Sequence, residues 1–351
     1  MVELPRRFAE IPRLPLLFPH PPSIEPLTRL TTHLAQQHSD NVQAAPTFWI
    51  AHENYNAPLS GGGGNKLRKI EYVLADARNV GADTIVTTGG VQSNHMRQTA
   101  AAAARYGLRC VLLQKELVPT SHHLGNVQLN SLLGATTLQS TTPDDALSRL
   151  RDDGRKPYFI PAGASTHPLG GLGFARWAFE LAEREAALGT YFDTIFVATA
   201  SGSTAGGMLA GLRYVAKLRR ERMPRENLPR RKLVSVFAEP DEQGELQRLV
   251  KNIARKTGSI IGLADGESQD VELVIEQRFD AGAYGRLDSR TRDAIKLLAM
   301  TEGLVTDPVY TGKALTAMLS QAKGGELSGA KNVLFVHTGG QTSCSAYLCL
   351  R

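Results

Sequence analysis

The sequence predicts an α/β protein with open, mostly parallel sheets divided between two domains. Three observations carry that expectation. Short apolar runs alternate with amphipathic helical patterns from residue 47 to the end. Glycine-containing turns join the end of such a run to the start of a helix at 89–94, 200–207 and 338–342. A chain of 351 residues, 42% hydrophobic and 21% charged, has the ordinary composition of a soluble protein and enough length for two cores.

Taken in order, residues 1–46 are proline-rich and read as an arm over the body, with a short helical pattern near 26–37. Residues 47–52 alternate as a strand and lead into Ser60, the tract Gly61, Gly62, Gly63 and Gly64, then Asn65 and Lys66. Leu67, Ile70, Val73, Leu74 and Ala77 recur at three and four, which is one face of a helix, with Asn65 as its expected N-cap and Gly81 past its end. A strand over 83–88, the turn 89–94, an alanine-rich helix reaching Gly107 and a strand over 109–114 form a βαβ unit, hence parallel pairing. Helices over 125–133 and from Pro143 follow, then a strand over 157–161 and a helix over 170–188. The second half repeats the alternation: strand 194–199, turn 200–207, helix to 218, strand 233–239, helix 242–253, strand 273–276, helix 289–303, a unit over 307–319, and strand 333–337 running into 338–342.

The totals narrow the function. The net charge of +6 is modest, and its densest basic cluster, from Lys217 to Lys232 and including Arg225, has no aromatic interleaving. A solvated helix end and loop accounts for it, so no nucleic-acid partner is expected. Cys110, Cys344 and Cys349 form neither a zinc spacing nor a disulfide framework, which suits a reducing, cytoplasmic setting; Cys110 sits in an apolar run as a small core residue. No apolar run reaches the ~18 residues of a membrane span, and the start of the chain, with Glu3 and Glu10, lacks a signal-peptide core. The histidines show no metal spacing, so no metal is expected.

Chemistry concentrates at the turns, where open α/β sheets collect ligands. Lys66 falls at a helix start, where the dipole disfavours a cation and favours the neutral amine that a Schiff base with an aldehyde requires, with a flexible glycine loop and a lysine in solvent as the plain alternative. The turn with Ser201, Gly202, Ser203 and Thr204 exposes amides and hydroxyls at the next helix start, an anion site without the lysine of a P-loop. Ser93 and Asn94 offer a hydroxyl and an amide, although both are also natural helix caps. Tyr310 lies in a loop shaped by Pro308 and Gly312, with a core tyrosine as the plain alternative. A neutralisable lysine, a phosphate cup, polar turns and a late tyrosine fit pyridoxal 5'-phosphate. A non-covalent binder of a phosphate ligand on the same fold is the distant alternative.

Four motifs, Gly64 to Lys69, Gly89 to His95, Asp307 to Lys313 and His337 to Gly340, together resemble the 1-aminocyclopropane-1-carboxylate (ACC) deaminase and D-cysteine desulfhydrase family of tryptophan synthase β-like pyridoxal enzymes. The resemblance runs in order from about residue 12 to 350. It implies the type II pyridoxal fold, with a large cofactor domain (1–66 and 181–351) and a small inserted domain (67–180), and a homodimer acting on a small amino acid. By the same resemblance Lys66 bonds the cofactor aldehyde, Lys69 and the Ser201 to Thr204 turn hold the phosphate, and Asn94 faces the ring oxygen. Ser93 becomes the nucleophile or carboxylate contact, with Tyr310 and Tyr284 beside the substrate. The longer glycine tract departs from the pattern.

Two positions divide the branches. Deaminases carry Glu after the tyrosine and Leu before the paired glycines, whereas this chain has Thr311 and Thr338. A carboxylate at the pyridine nitrogen strengthens the electron sink that opening a cyclopropane needs, while expelling a thiolate is easier. These two positions favour D-cysteine desulfhydration, to pyruvate, sulfide and ammonia. ACC deamination to 2-oxobutyrate and ammonia is the alternative, and the stretch from Pro161 to Phe174 looks more like the deaminases.

Overall fold

In a computed structural model the chain is described at residues 2–36, 46–59, 61, 63–222, 228–264, 266 and 270–350. Ser60, Gly62 and Arg225 lie outside these described residues. In order run α1 (Arg6–Ala9), β1 (Ile24–Pro26), α2 (Thr28–Gln36), β2 (Thr47–Ala51), α3 (Asn65–Asn79), β3 (Thr84–Gly90), α4 (Asn94–Arg105), β4 (Arg109–Lys115), α5 (Asn126–Leu132), β5 (Thr136–Gln139) and α6 (Pro143–Asp152). They are followed by β6 (Pro157–Ile160), α7 (Leu172–Leu188), β7 (Thr194–Thr199), α8 (Ser203–Arg222), β8 (Arg231–Phe237), α9 (Glu245–Ile261), β9 (Val271–Glu276), α10 (Ser289–Glu302), α11 (Thr311–Lys323) and β10 (Asn332–Val336).

The strands form two sheets, a six-stranded one in the order β1-β2-β10-β7-β8-β9 and a four-stranded one in the order β5-β4-β3-β6. Every pair is parallel except β1 with β2. The strands of the smaller sheet all come from 84–160, between β2 and β7 of the larger one. All six residues of β7 are buried, as a central strand covered on both faces requires. One face of the larger sheet packs on α1, α7, α8 and α9 through Phe8, Phe174, Met208 and Val250, and the other on α2, α10 and α11 through Leu30, Leu298 and Met318. The smaller sheet lies between α3 and α4 on one side (Ile70, Met96, Leu112) and α6 on the other (Ala146 against Val86).

The proline-rich arm packs on α3: Glu71 accepts hydrogen bonds from Leu16 N (2.9 Å) and Arg13 Nη1 (2.8 Å), and Leu16 enters the core beneath. Cys110 is buried in that core. The basic cluster is partly internal rather than wholly solvated, because Arg231 opens β8 as a buried residue, donating to Phe192 O (2.8 Å) and pairing with Glu185, which also holds Arg219 (3.0 Å).

Three local expectations change. The helix after β7 begins at Ser203, so Gly206 and Gly207 are helical rather than part of the turn. Packing explains why glycines serve there: a Cβ on Gly207 would stand 2.2 Å from Gly171 O, and one on Gly206 would stand 2.8 Å from Ile253 Cγ2, so α8 sits closer to α7 and α9 than side chains permit. Helix α9 continues to Ile261 because Ala254, Thr257 and Ile261 extend its buried stripe. Strands β1 and β5 carried no signal: each has three or four residues, and β5 has no buried residue.

Candidate active site

One cavity draws its lining from the start of α3 (Asn65, Lys66), from Asn94 after β3, from the end of β7 and the turn beyond it (198–202 and Thr204), from Tyr310, and from Thr338 and Gly339 after β10. Strand ends and helix starts of both sheets therefore meet at one place, as open parallel sheets dictate. A larger cavity lies elsewhere, between β8, β9 and the 326–330 turn, but its buried charges are already paired, Glu276 with Arg278 and Gln321.

The approach to Lys66 is built on glycine. Gly64 is the N-cap of α3 at φ 132°, a conformation side chains rarely adopt, and a Cβ there would meet Gln98 Nε2 at 2.5 Å. Asn56 holds it from both sides, accepting from Gly64 N (2.9 Å) and donating to Gly64 O (3.3 Å). Asn65 is thus the first helical residue and not the cap. Its amide donates to Thr204 Oγ1 (2.9 Å) and its N–H to Thr338 O (3.0 Å), tying three parts of the lining together. Gln98 Oε1 accepts from Leu67 N (3.1 Å), which it shares with Gly64 O (3.2 Å), in place of a capping side chain.

Lys66 extends toward Tyr310, its Nζ 5.8 Å from the ring centroid. Burial lowers its ammonium from 10.5 to about 8, against opposing contributions from the Lys69 contact and the Asp307 charge. Lys69, one turn behind, is fully buried and donates to Ser203 Oγ (2.8 Å) and Gly163 O (3.4 Å); burial and then the neighbouring Lys66 charge hold it well below the usual lysine range. In the following turn Ser201, Gly202 and Thr204 line the cavity, while Ser203 turns away to Lys69 and Gly163 O (2.9 Å). The side-chain direction of Gly202 points at Val250 and Ile253, so its contribution to the cavity is backbone.

Asn94 Oδ1 accepts from Asn126 Nδ2 (2.9 Å), which leaves the Asn94 amide protons as the group that can donate into the cavity. Asn126 is itself fixed by Gln92 O (2.8 Å) and by Thr342 Oγ1 (2.7 Å). Ser93 caps α4, accepting from Met96 N (3.2 Å), and stands beside the cavity rather than in its lining. Tyr310 and Tyr284 share a short hydroxyl hydrogen bond with their rings edge to face, 5.7 Å apart. Burial raises both phenols, Tyr284 to about 12, so both hydroxyls keep their protons at neutral pH.

The two threonines part company. Thr338 lines the cavity, but Thr311 is buried behind it with its hydroxyl on Asp307 Oδ1 (2.5 Å). Asp307, unremarked in the sequence, is a buried carboxylate that also accepts from the N–H groups of Val309 (2.9 Å), Tyr310 (2.9 Å) and Thr311 (2.7 Å), and so sets the loop bearing Tyr310. Asn126 and Arg68 were missed as well. Arg68 Nε and Nη2 fork onto Glu53 (2.6 and 2.9 Å), and Glu53 accepts from Asn56, the residue holding Gly64. Nothing local in the sequence marks these partners.

The donor set suits a flat aldehyde carrying a phosphate: an amine easily made neutral at one wall, a free amide donor at another, and the exposed start of α8 for an anion. Next to the lining residue Gly339, Gly340 has room only for glycine, since a Cβ there would stand 2.6 Å from Asp307 and 2.8 Å from the Asn94 amide.

The sequence pattern of the family described as "Pyridoxal-phosphate dependent enzyme" matches residues 26–339. A 1-aminocyclopropane-1-carboxylate deaminase of Burkholderia vietnamiensis is 38% identical over 349 residues, covering 96% of each chain. A "Probable 1-aminocyclopropane-1-carboxylate deaminase" of Cryptococcus neoformans is 38% identical over 313 residues, covering 86% of each. Among solved structures, one titled as an ACC deaminase homologue superposes with a TM-score of 0.79 at 28% identity, covering 98% of each chain.

Proposed function

We propose that this chain, which belongs to the pyridoxal-phosphate dependent enzymes and is ACC deaminase-like, is a deaminase of a small amino acid whose substrate is ACC, converted with one water to 2-oxobutyrate and ammonia. The observation that carries the reading is alignment over 96% of this chain and 96% of a relative named for that reaction. The relatives outweigh the desulfhydrase expectation because half of that expectation rested on Thr311, whose hydroxyl is committed to Asp307 and does not line the cavity.

Bound pyridoxal phosphate supplies the electron sink for cleavage next to the amino-bearing carbon. Lys66 is the residue to hold it, its buried amine already lowered to about 8. The backbone of Ser201 and Gly202, the Thr204 hydroxyl and the dipole of α8 would receive the phosphate, with Lys69 behind the turn holding Ser203. The Asn94 amide, oriented by Asn126, would donate to the ring oxygen. Tyr310 and Tyr284, both protonated and linked, hold and exchange a proton at their hydroxyl oxygens beside the bound substrate. Ser93, with its oxygen accepting from Met96 N, retains its own proton to donate to a substrate carboxylate.

One observation favours a second reading, D-cysteine desulfhydration: the Thr338 hydroxyl lines the cavity where the deaminase pattern has leucine. The homodimer and the division into domains at 1–66 with 181–351 and 67–180 remain parts of the proposal. Parallel assays of the purified enzyme decide the substrate: 2-oxobutyrate from ACC, and pyruvate with sulfide from D-cysteine. Faster release from ACC is expected; faster sulfide release from D-cysteine would reverse the assignment and leave the cofactor chemistry standing.

A further inference from the structure

Lys313 is a buried charge that the proposed reaction does not use. It is the third residue of α11, near the positive end of the helix dipole, where a cation is disfavoured. Its side chain is fully buried. Among the described residues the ammonium finds no carboxylate at hydrogen-bond distance. It donates instead to three backbone carbonyl oxygens: Ala238 O just past β8 (2.7 Å), Asp280 O (2.6 Å) and Ala283 O (3.2 Å).

Three main-chain carbonyls converging on one compact charge is the chemistry by which proteins replace the hydration shell of a monovalent cation. The surroundings agree, since Asp280, Asp288, Asp307 and Glu239 all place negative charge toward the same point, and burial lowers the ammonium to about 8 in spite of them. The held segment is next to the site. The carbonyls of Asp280 and Ala283 belong to the loop that carries Tyr284, a loop that makes left-handed turns at Ala281, Gly282 and Gly285, and Lys313 itself is three residues beyond Tyr310. A single charge therefore fastens the end of β8, the Tyr284 loop and the helix behind Tyr310.

We propose that the Lys313 ammonium is a tethered monovalent cation filling a carbonyl-built site, and that it is a positioning residue setting Tyr284 against Tyr310. Two consequences follow. The wild-type enzyme has no need of a free cation at this place. An enzyme whose side chain there is cut back acquires a vacant site of the right oxygen set and charge for potassium or ammonium, whose size and weak hydration resemble those of the lysine head. Lithium, small and strongly hydrated, and tetramethylammonium, too large and unable to donate, do not fit. The site itself is independent of the substrate; only its effect on turnover rests on the proposed deaminase reading.

The test compares wild type and Lys313→Ala as cofactor-loaded full-length enzymes, dialysed into tetramethylammonium chloride and titrated at constant ionic strength with potassium, ammonium or lithium chloride. Thermal midpoint is read without substrate and kcat with it. The wild type is expected to be indifferent to the cation. Lys313→Ala is expected to lose thermal stability and about tenfold or more in kcat in tetramethylammonium, the size of one lost charge-assisted contact, and to recover both, saturably, with potassium or ammonium but not lithium. If the variant unfolds in tetramethylammonium, refolding yield becomes the readout, and potassium-dependent recovery supports the site. Equal behaviour of the variant in all salts, folded or not, would overturn the proposal, as would a wild type that needs potassium. A failed substrate assignment leaves the cation-selective thermal response unchanged, so the two failures are distinguishable.

Discussion

Replacing Arg68 by methionine tests how the approach to Lys66 is held. Arg68 and Glu53 are each 1% exposed and form a forked pair at 2.6 and 2.9 Å; a second carboxylate, Glu180, lies 2.9 Å from Nη2 but is 21% exposed. Methionine keeps most of the apolar stem and removes the charge, together with the guanidinium contact over the Phe174 ring (5.9 Å to the centroid). Glu180 then recovers water, whereas Glu53 stays buried with one remaining side-chain donor, Asn56 Nδ2 at 2.9 Å. Leaving a buried charge without its partner costs about 3–5 kcal/mol. With a urea slope of roughly 3 kcal/mol/M, that loss lowers the unfolding midpoint by about 1–1.7 M. Substituting both residues by methionine removes the stranded charge, so the double variant is expected within about 2 kcal/mol of wild type, far from the sum of the singles. Because Asn56 links Glu53 to Gly64, the single variant is also expected to retain its cofactor poorly, read by visible absorbance after gel filtration. A single-variant cost below about 1 kcal/mol, or a double variant as unstable as the sum, would refute the claim that this pair is buried and mutually dependent.

Three further outcomes are expected. Since burial lowers Lys66 from 10.5 to about 8, its neutral fraction grows about tenfold per pH unit below that value and levels above it; the rate at which apoenzyme captures pyridoxal phosphate should follow the same curve, and a midpoint near 10.5 would show the amine to be solvated. Lys66→Ala should abolish turnover and the lysine-linked visible band with little loss of stability, and a borohydride-fixed cofactor on any other lysine would move the assignment. Asn126→Ala frees Asn94 Oδ1 from the side-chain donor it has among the described residues, so an equilibrium titration should show cofactor affinity lowered roughly 5–30-fold, for about 1–2 kcal/mol, at unchanged pH dependence.

Much of the site was legible because its signals are local. A glycine before a helix, a lysine at its start and three strand-to-helix turns are short-range patterns, and Lys66, Asn94, the 200–204 turn, Tyr310 and Thr338 do meet in one cavity. Ser93 shows the limit of such patterns: the cap and the substrate contact use the same residue type at the same place, and the cap is the role the structure displays. Thr311 shows it more sharply, for a hydroxyl one residue after Tyr310 faces away from the cavity, because helix α11 begins there and Asp307 accepts its hydrogen bond.

By itself the sequence determined the alternation of buried parallel strands and helices, since periods of two and 3.6 residues are properties of short segments, and with them the placing of ligand chemistry at the strand ends. Only the tertiary structure decided which ends meet and which polar groups satisfy one another. β10 inserts between β2 and β7, Asn126 is fixed by Thr342 at a separation of 216 residues, Arg68 finds Glu53, and Lys313 finds carbonyls 30, 33 and 75 residues away. The reason is burial: a polar group removed from water must be paired, but the partner is whichever complementary group the packing of distant elements brings within about 3 Å, and no local pattern records that choice.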